Sequence, residues 1–208
     1  MPSLSVRAFA EMLNLPIYEQ QRILLEQKYP RQQPQTFRIP YYQTALRGIR
    51  LYYQAGNDNS ILTDARNRAR VLEPDSKAAN NLRVIRSFGR SRQTTRNLTV
   101  QAQPNVSIVL ANDVEIRLRF DICATERDNE KRIFYNCRNA PITGQIARLT
   151  LQLAHWVLEQ NGTPVPYSAL EYIDFRSRQT TRISRIPART IQLATANARI
   201  ISTLWPTL

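Results

Sequence analysis

The residues best suited to chemistry in this sequence are arginines, and one arginine-rich heptapeptide occurs twice. Arg-Ser-Arg-Gln-Thr-Thr-Arg occupies residues 90–96 and again residues 176–182. Side chains alternate between the two faces of an extended strand, so the three arginines of each copy would share one face with a threonine. Such a row of guanidinium groups suits phosphate oxygens, which arginine binds through paired N–H donors. The candidate phosphate-binding residues are Arg90, Arg92 and Arg96 in the first copy and Arg176, Arg178 and Arg182 in the second.

The charge of the whole chain agrees with a polyanionic partner. The formal net charge is +13, the pI is near 10.5, and 26 of the 29 basic residues are arginine. Lysine would serve solubility equally well, whereas the planar guanidinium suits phosphates and stacks on bases. We therefore predict a nucleic-acid partner, DNA or RNA. Two alternatives stay open: a GC-rich genome that inflates the arginine content, and two solvated strands whose arginines keep sheet edges soluble.

Length and composition limit the remaining possibilities. With 208 residues, 42% of them hydrophobic, the chain can form one compact domain, or a domain with a helical annex. The sequence has no apolar run that could span a bilayer, and its start lacks the apolar core of a signal peptide. Cys123 and Cys137 fit neither a disulfide framework nor a zinc site, and we expect them buried near one another. We therefore expect a cytoplasmic protein with no membrane partner.

Apolar residues recur at helical spacing through the first ninety residues. Ser5 can cap a first helix, Pro16 can open a second, and Gly89 closes the last of five. The polar residues 31–36 are predicted to be a linker or surface loop. A weak boundary near residue 74 separates a helical region at 1–74 from a core at 75–208, although both can belong to one compact domain.

Beyond residue 94 the spacing changes and predicts an α+β fold with α/β-like character. An antiparallel meander of three strands is followed by a helix, a strand that contains the second heptapeptide, and a final helix. The predicted ranges are 106–110, 114–120 and 132–137 for the meander, then 142–156, 170–183 and 191–205. His155, the one histidine, is expected to pack rather than to act in catalysis.

Four polar residues stand at notable points of this order. Asp121 ends the second predicted strand, Asn136 and Arg138 lie at the end of the third, and Gln145 starts the next helix. The pattern resembles the PD-(D/E)XK nuclease superfamily, within it the RecB-like and CRISPR-associated exonuclease branch, over about residues 75–208. That family has a carboxylate, a carboxylate-x-lysine and a glutamine in the corresponding places. The resemblance implies a restriction-endonuclease-like core with a cleft for nucleic acid.

The chemistry implied by the resemblance requires two carboxylates that hold Mg²⁺ and a lysine that polarises water. Asp121 matches the first carboxylate, but Asn136 is neutral and Arg138 does not give up its proton. The resemblance therefore implies a degenerate site without a metal. Apart from the resemblance, we expect Asp121 to form an ion pair with Arg138 across the hairpin rather than to bind a metal. If the site is instead active, Asp121 would bind Mg²⁺ together with Glu115 or Glu130.

The resemblance also implies that the N-terminal helices flank the cleft. Their tyrosines could stack on unpaired bases, or be buried by helix packing. The residues concerned are Arg66, Arg68, Arg70, Arg83 and Arg86, together with Tyr41, Tyr42, Tyr52 and Tyr53.

Three functions are compatible with the sequence. The first is a nucleic-acid-binding protein on a nuclease-like scaffold, without hydrolytic activity and with little base specificity. The second is an active nuclease that depends on magnesium or manganese. The third is a basic subunit of a defence or mobile-element complex that assembles with other protein subunits.

Overall fold

The structure of the chain is a computed structural model that describes residues 1–29, 41–111 and 113–208. The linker predicted at residues 31–36 lies outside these ranges, and so does Asn112 between the first two predicted strands. No helix of the described part is both long and apolar enough to cross a membrane.

Helices and strands follow one another as the α+β prediction requires. The helices are α1 (Val6–Met12), α2 (Ile17–Lys28), α3 (Gln43–Gln54), α4 (Asn59–Arg70), α5 (Asp75–Gly89), α6 (Gly144–Gln160) and α7 (Ala188–Thr207). The strands are β1 (Ser3–Ser5), β2 (Thr99–Val100), β3 (Val106–Leu110), β4 (Val114–Leu118), β5 (Ile122–Glu126), β6 (Asn129–Asn136), β7 (Leu170–Asp174) and β8 (Gln179–Thr181). The α+β class is therefore confirmed.

The strands form two sheets. One has the order β1-β4-β3, with β1 parallel to β4 and β3 antiparallel to it. The other has the order β2-β5-β6-β7-β8, in which β6 and β7 run parallel and the other neighbours antiparallel. Helix α6 joins β6 to β7, because parallel neighbours need a crossover connection.

The predicted meander is divided between these two sheets. β3 and β4 form one hairpin, and β5 and β6 form another in the second sheet. No strand was predicted at β5, because the predicted ranges pass from 114–120 directly to 132–137. Ile122, Cys123 and Ala124 are all buried, since this part of β5 is covered on both faces, and the alternation that marks a half-buried strand is therefore missing.

Two apolar cores cover the two faces of the five-stranded sheet. Helices α3, α4 and α5 pack on one face, where Ile133 and Tyr135 point. Helices α1, α6 and α7 and the smaller sheet pack on the other, where Phe134 and Tyr172 point. Successive residues of β6 therefore enter opposite cores, as strand geometry requires.

The N-terminal strand and helix pack with the later part of the chain. β1 pairs with β4, with Ser5 beside Arg117, and α1 packs on α6. Ser5 caps α1, because its hydroxyl accepts a hydrogen bond from the backbone N–H of Ala8 at 3.2 Å. The division at residue 74 assigns these two elements to the helical region, whereas they lie against the smaller sheet and α6.

Candidate nucleic-acid interface

The sequence predicts an extended strand for the first copy of the heptapeptide, and this prediction is wrong. Arg92–Thr95 form a turn of 3₁₀ helix, and the hydroxyl of Ser91 accepts a hydrogen bond from the N–H of Gln93. The guanidinium of Arg96 turns inward, where it donates to Glu126 at 2.7 Å and to Glu171 at 2.6 Å. These long-range ion pairs outweigh the weak local preference for an extended backbone.

The second copy also departs from the predicted strand over residues 170–183. β7 ends at Asp174, whose carboxylate accepts the N–H of Arg176 at 2.8 Å, and the chain turns there. Arg178 has a φ of 59°, in the left-handed region that tight turns use. Arg176 and Arg178 therefore lie in the turn before β8 rather than in a row along a strand.

The two copies meet at one carboxylate. Arg96 and Arg182 are the seventh residues of their copies, and both bond to Glu171, which is fully buried. Lys131 lies 3.6 Å from the same carboxylate. Arg96 and Arg182 therefore bind the protein's own carboxylate, and the prediction of two rows of three arginines along extended strands is wrong.

The other arginines of the two copies are exposed. Among the described residues, no carboxylate lies within 4.0 Å of any of these four side chains. Phe88 and Phe175 pack edge to face with ring centroids 6.3 Å apart, so the two copies begin near one contact. These four residues are Arg90, Arg92, Arg176 and Arg178, and the side chain of Arg182 is exposed as well.

A different set of arginines gathers in a cleft of about 830 Å³ between α3, β4 and the start of α1. A hollow of about 460 Å³ adjoins it and shares Arg50 and Arg119 with it. We call the larger space the basic cleft. The charged and aromatic residues that line it are Arg7, Arg47, Arg50, Arg117, Arg119, Asp121, Tyr41, Tyr42, Phe120 and Phe134. The other described residues that line it are uncharged.

Secondary structure explains why these arginines converge. Arg47 and Arg50 lie three residues apart on α3, so they share the helix face opposite buried Ile49. On β4 the buried residues alternate with Arg117, and Arg119 continues that alternation beyond the strand. Because β1 lies parallel to β4, the start of α1 is brought to the same end of the smaller sheet.

The basic cleft carries a strong excess of positive charge. Five arginines and one aspartate line it among the described residues. Within the same ranges, Arg47, Arg50 and Arg119 have no carboxylate within 4.0 Å, and Arg117 reaches Glu115 only at 4.0 Å. Such a concave, uncompensated array attracts polyanions.

Arg7 and Asp121 form an ion pair on the floor of the cleft. The Nη2 of Arg7 donates to Asp121, and its Nη1 donates to the carbonyl of Tyr135 at 3.3 Å. Asp121 also accepts the N–H of Tyr135 at 2.7 Å. Burial opposes the charge on Arg7, but the adjacent Asp121 carboxylate outweighs it and raises the pKa of the guanidinium. The guanidinium carbon lies 4.6 Å from the ring centroid of Phe134.

The other residues of the predicted degenerate site do not join Asp121. Asn136 is buried and donates to Asp174 at 3.2 Å and to the carbonyl of Ala140. Arg138 pairs with Glu11 at 2.8 Å, so the predicted ion pair between Asp121 and Arg138 is wrong. The reason is that Arg7, from a helix distant in sequence, already occupies Asp121.

Gln145, the fourth residue of that set, is exposed and donates to the side chain of Asn14 at 3.0 Å. It therefore ties the start of α6 to the end of α1.

This donor set does not fit a divalent cation. Mg²⁺ prefers several oxygen ligands in octahedral geometry, whereas Asp121 already binds a guanidinium and a backbone N–H. Neither predicted second carboxylate joins it, because Glu115 accepts a hydrogen bond from Ser3, and Glu130 pairs across the hairpin with Thr125, four residues beyond Asp121. In the described ranges, no three His, Cys, Asp or Glu side chains gather as metal ligands would.

The tyrosines divide into two pairs. Tyr52 and Tyr53 are buried beside Phe88, and their hydroxyls donate to backbone carbonyls of the first heptapeptide copy. Tyr41 and Tyr42 line the basic cleft, half-buried, with ring centroids 5.0 Å apart. Burial raises the pKa of Tyr42, so its hydroxyl stays neutral. Only the second pair is therefore placed to stack on a ligand.

The arginines of α4 and α5 lie elsewhere. Arg83 donates to the carbonyl of Cys137, and Arg70 donates to Asn67 at 3.0 Å. None of the five residues predicted to flank the cleft is among the described residues that line it. They are Arg66, Arg68, Arg70, Arg83 and Arg86.

Cysteine and histidine side chains are structural. Cys123 and Cys137 are both buried and free, but they lie in different cores rather than near one another. Burial raises the pKa of both thiols, which disfavours the reactive thiolate. His155 stacks on Tyr167 at 4.2 Å and bonds to the carbonyl of Val165, as packing predicts.

The sequence did not lead us to predict any of the five arginines that line the described cleft, which are Arg7, Arg47, Arg50, Arg117 and Arg119. The spacing of Arg47 and Arg50 is a helical signal that was available, and Arg117 and Arg119 alternate visibly with apolar residues. Arg7 carried no local signal, because its partner Asp121 lies 114 residues away.

No family model matches this chain, and no curated protein matches it. Among solved structures, one described as "Crystal structure of SSO0001" is similar over 89% of this chain and 85% of its own, with 14% sequence identity and a TM-score of 0.34. A likeness at this level says nothing about function.

Proposed function

We propose that this protein binds nucleic acid by gripping backbone phosphates in the basic cleft, on a nuclease-like scaffold, without hydrolysing them. The observation that carries the proposal is the arrangement of Arg47 and Arg50 on α3 with Arg117 and Arg119 at β4 around one cleft. Guanidinium groups bind phosphate oxygens through paired donors, and Tyr41 and Tyr42 offer surfaces for a base.

The arginines of the cleft are proposed to contact phosphates rather than base edges. Phosphate contacts fix position and supply affinity but carry no sequence information. We therefore propose little preference for sequence, and the cytoplasm as the setting, in keeping with two free cysteines.

The proposal excludes hydrolysis on the chemistry of the donor set. Asp121 is the acid at the floor of the cleft, and Arg7 neutralises it. A metal-dependent nuclease needs carboxylates that are open to a cation and to water.

Salt dependence of binding tests the proposal. We expect a short fluorescent oligonucleotide to bind with a log–log salt slope of several units, because each phosphate contact contributes about 0.7–0.9. The triple variant R47Q/R50Q/R119Q should lower that slope by about two to three units. Binding that is indifferent to salt would contradict the proposal.

Two matched variants locate the site. The variant R22Q/R189Q/R199Q removes the same charge from exposed positions on α2 and α7, outside the cleft, and should change the slope little. The variant R90Q/R92Q/R176Q/R178Q tests the heptapeptides, which would carry the interface if this variant lost more affinity than the cleft variant. Incubation of labelled DNA and RNA with the protein and Mg²⁺ or Mn²⁺ should leave both nucleic acids intact. Cleavage by the wild type that disappears in Asp121→Ala would instead favour an active nuclease.

A further inference from the structure

The floor of the basic cleft contains a cation that belongs to the protein. The Arg7 guanidinium is fixed by Asp121, by the Tyr135 carbonyl and by the Phe134 ring. The Arg7 side chain nevertheless remains 28% exposed, and it lines the cleft. It is therefore both held in place and accessible.

We propose that Arg7 is the resident cation of the cleft, that it takes the place of a divalent metal ion, and that it binds a phosphate of the ligand directly. This inference rests on the proposed function. It follows from the disagreement between the metal chemistry implied by the family resemblance and the donor set that the structure shows.

The hydrogen-bonding capacity of the guanidinium supports this role. A guanidinium has five N–H donors, and the contacts to Asp121 and Tyr135 use two of them. The remaining donors can meet phosphate oxygens in the bidentate geometry that arginine favours. Asp121 fixes the orientation in advance, so a ligand phosphate does not have to order a flexible side chain.

The same geometry explains why a metal ion would not compete. One oxygen of Asp121 accepts from both Arg7 and the N–H of Tyr135. A divalent ion would have to displace a guanidinium whose charge does not titrate away, and among the described residues that line the cleft it would find no carboxylate besides Asp121. The nearby Glu11 is itself paired with Arg138.

A charge-neutral double variant gives a sharp test. R7M/D121N removes one positive and one negative charge, so the net charge of the protein stays the same. Generic electrostatics therefore predicts unchanged binding of a short labelled oligonucleotide. We expect weaker binding and a salt slope reduced by about 0.7–0.9, because one phosphate contact is lost.

The matched control is E19Q/R22M, which removes an ion pair on the surface of α2 outside the cleft. It should bind like the wild type. Thermal unfolding of both variants checks that the fold is kept, and R7K provides a second measurement that keeps the charge but not the fork of donors; we expect intermediate binding. If R7M/D121N keeps the affinity and slope of E19Q/R22M, the inference is overturned.

Metal dependence provides an independent readout. We expect wild-type binding to be equal with excess chelator and with Mg²⁺ at matched ionic strength, and calorimetry with Mn²⁺ alone to show no stoichiometric site. A stoichiometric Mn²⁺ site that disappears in D121N would overturn the inference even if no oligonucleotide binds. If the wild type binds no oligonucleotide, the proposed function fails and the phosphate role of Arg7 fails with it. If the wild type binds and R7M/D121N binds equally well, only the role of Arg7 fails, and the proposed binding in the cleft stands.

Discussion

Arg96 and Arg182 offer a direct test of how burial sets the strength of an ion pair. They occupy the same position in two identical heptapeptides, and both bond to the buried carboxylate of Glu171. Their side chains differ in exposure, 13% for Arg96 and 61% for Arg182. We therefore compare Arg96→Met with Arg182→Met.

The expected magnitudes follow from this difference. Removing Arg96 takes from Glu171 and Glu126 their closest cation. Breaking a buried pair costs about 3–5 kcal/mol, and we expect the lower end of that range because Arg182 and Lys131 remain beside Glu171. Removing Arg182 takes away a guanidinium that is 61% exposed, and Glu171 keeps Arg96, so we expect a cost of roughly 0–1 kcal/mol. For a chain of this length, a loss of 1 kcal/mol lowers the unfolding temperature by about 2–4 °C.

Urea denaturation at neutral pH measures both losses as shifts of the midpoint at constant slope. Glu171→Gln should lower the urea midpoint about as much as Arg96→Met, because it leaves three cations around a neutral amide. Equal losses for the two arginine variants would refute the argument from burial, and so would a larger loss for Arg182→Met.

Two further predictions concern packing and acid stability. Gly48→Ala should destabilise the protein by about 1–3 kcal/mol, since the added methyl carbon would lie 2.5 Å from the Cβ of Ala65. Gly144→Ala should be neutral or stabilise the protein by up to about 1 kcal/mol, because the nearest contact of its methyl carbon is the end of a flexible arginine side chain at 3.5 Å. Equal urea midpoints for the two variants would contradict this prediction. Hydrogen bonds from Arg96 lower the pKa of Glu126 from its ordinary 4.5, so the stability it contributes is present above that pH and is lost as pH falls through the lowered folded value. Glu126→Gln should therefore lose less stability than the wild type as pH falls below 4.5, and parallel losses in the urea midpoints would speak against this linkage.

The helices could be predicted from the sequence because apolar residues recur at the helical period, and several helices also have a local start signal. Ser5 caps α1, and Asp75 follows a proline at the start of α5, as expected. β5 escaped prediction because burial on both faces removes the alternation that marks a strand.

The heptapeptides have a local strand signal, but the structure does not follow it. Their alternating arginines and threonines favour an extended strand locally, but the fold places buried carboxylates within reach of Arg96 and Arg182. Glu171 lies 75 residues from Arg96, and Asp121 lies 114 residues from Arg7. The positively charged character of the site was therefore predictable, whereas the identity of the arginines that line it depended on tertiary contacts.

The five-stranded sheet ends on both sides in very short strands, β2 with two residues and β8 with three. A long open edge exposes a row of backbone donors and acceptors on which a strand from another molecule can add. Here each margin leaves room for only a few such bonds, and the turn that leads into β8 carries two exposed arginines. Like charges on approaching copies would repel, so the edges of this sheet are protected against edge-to-edge polymerisation.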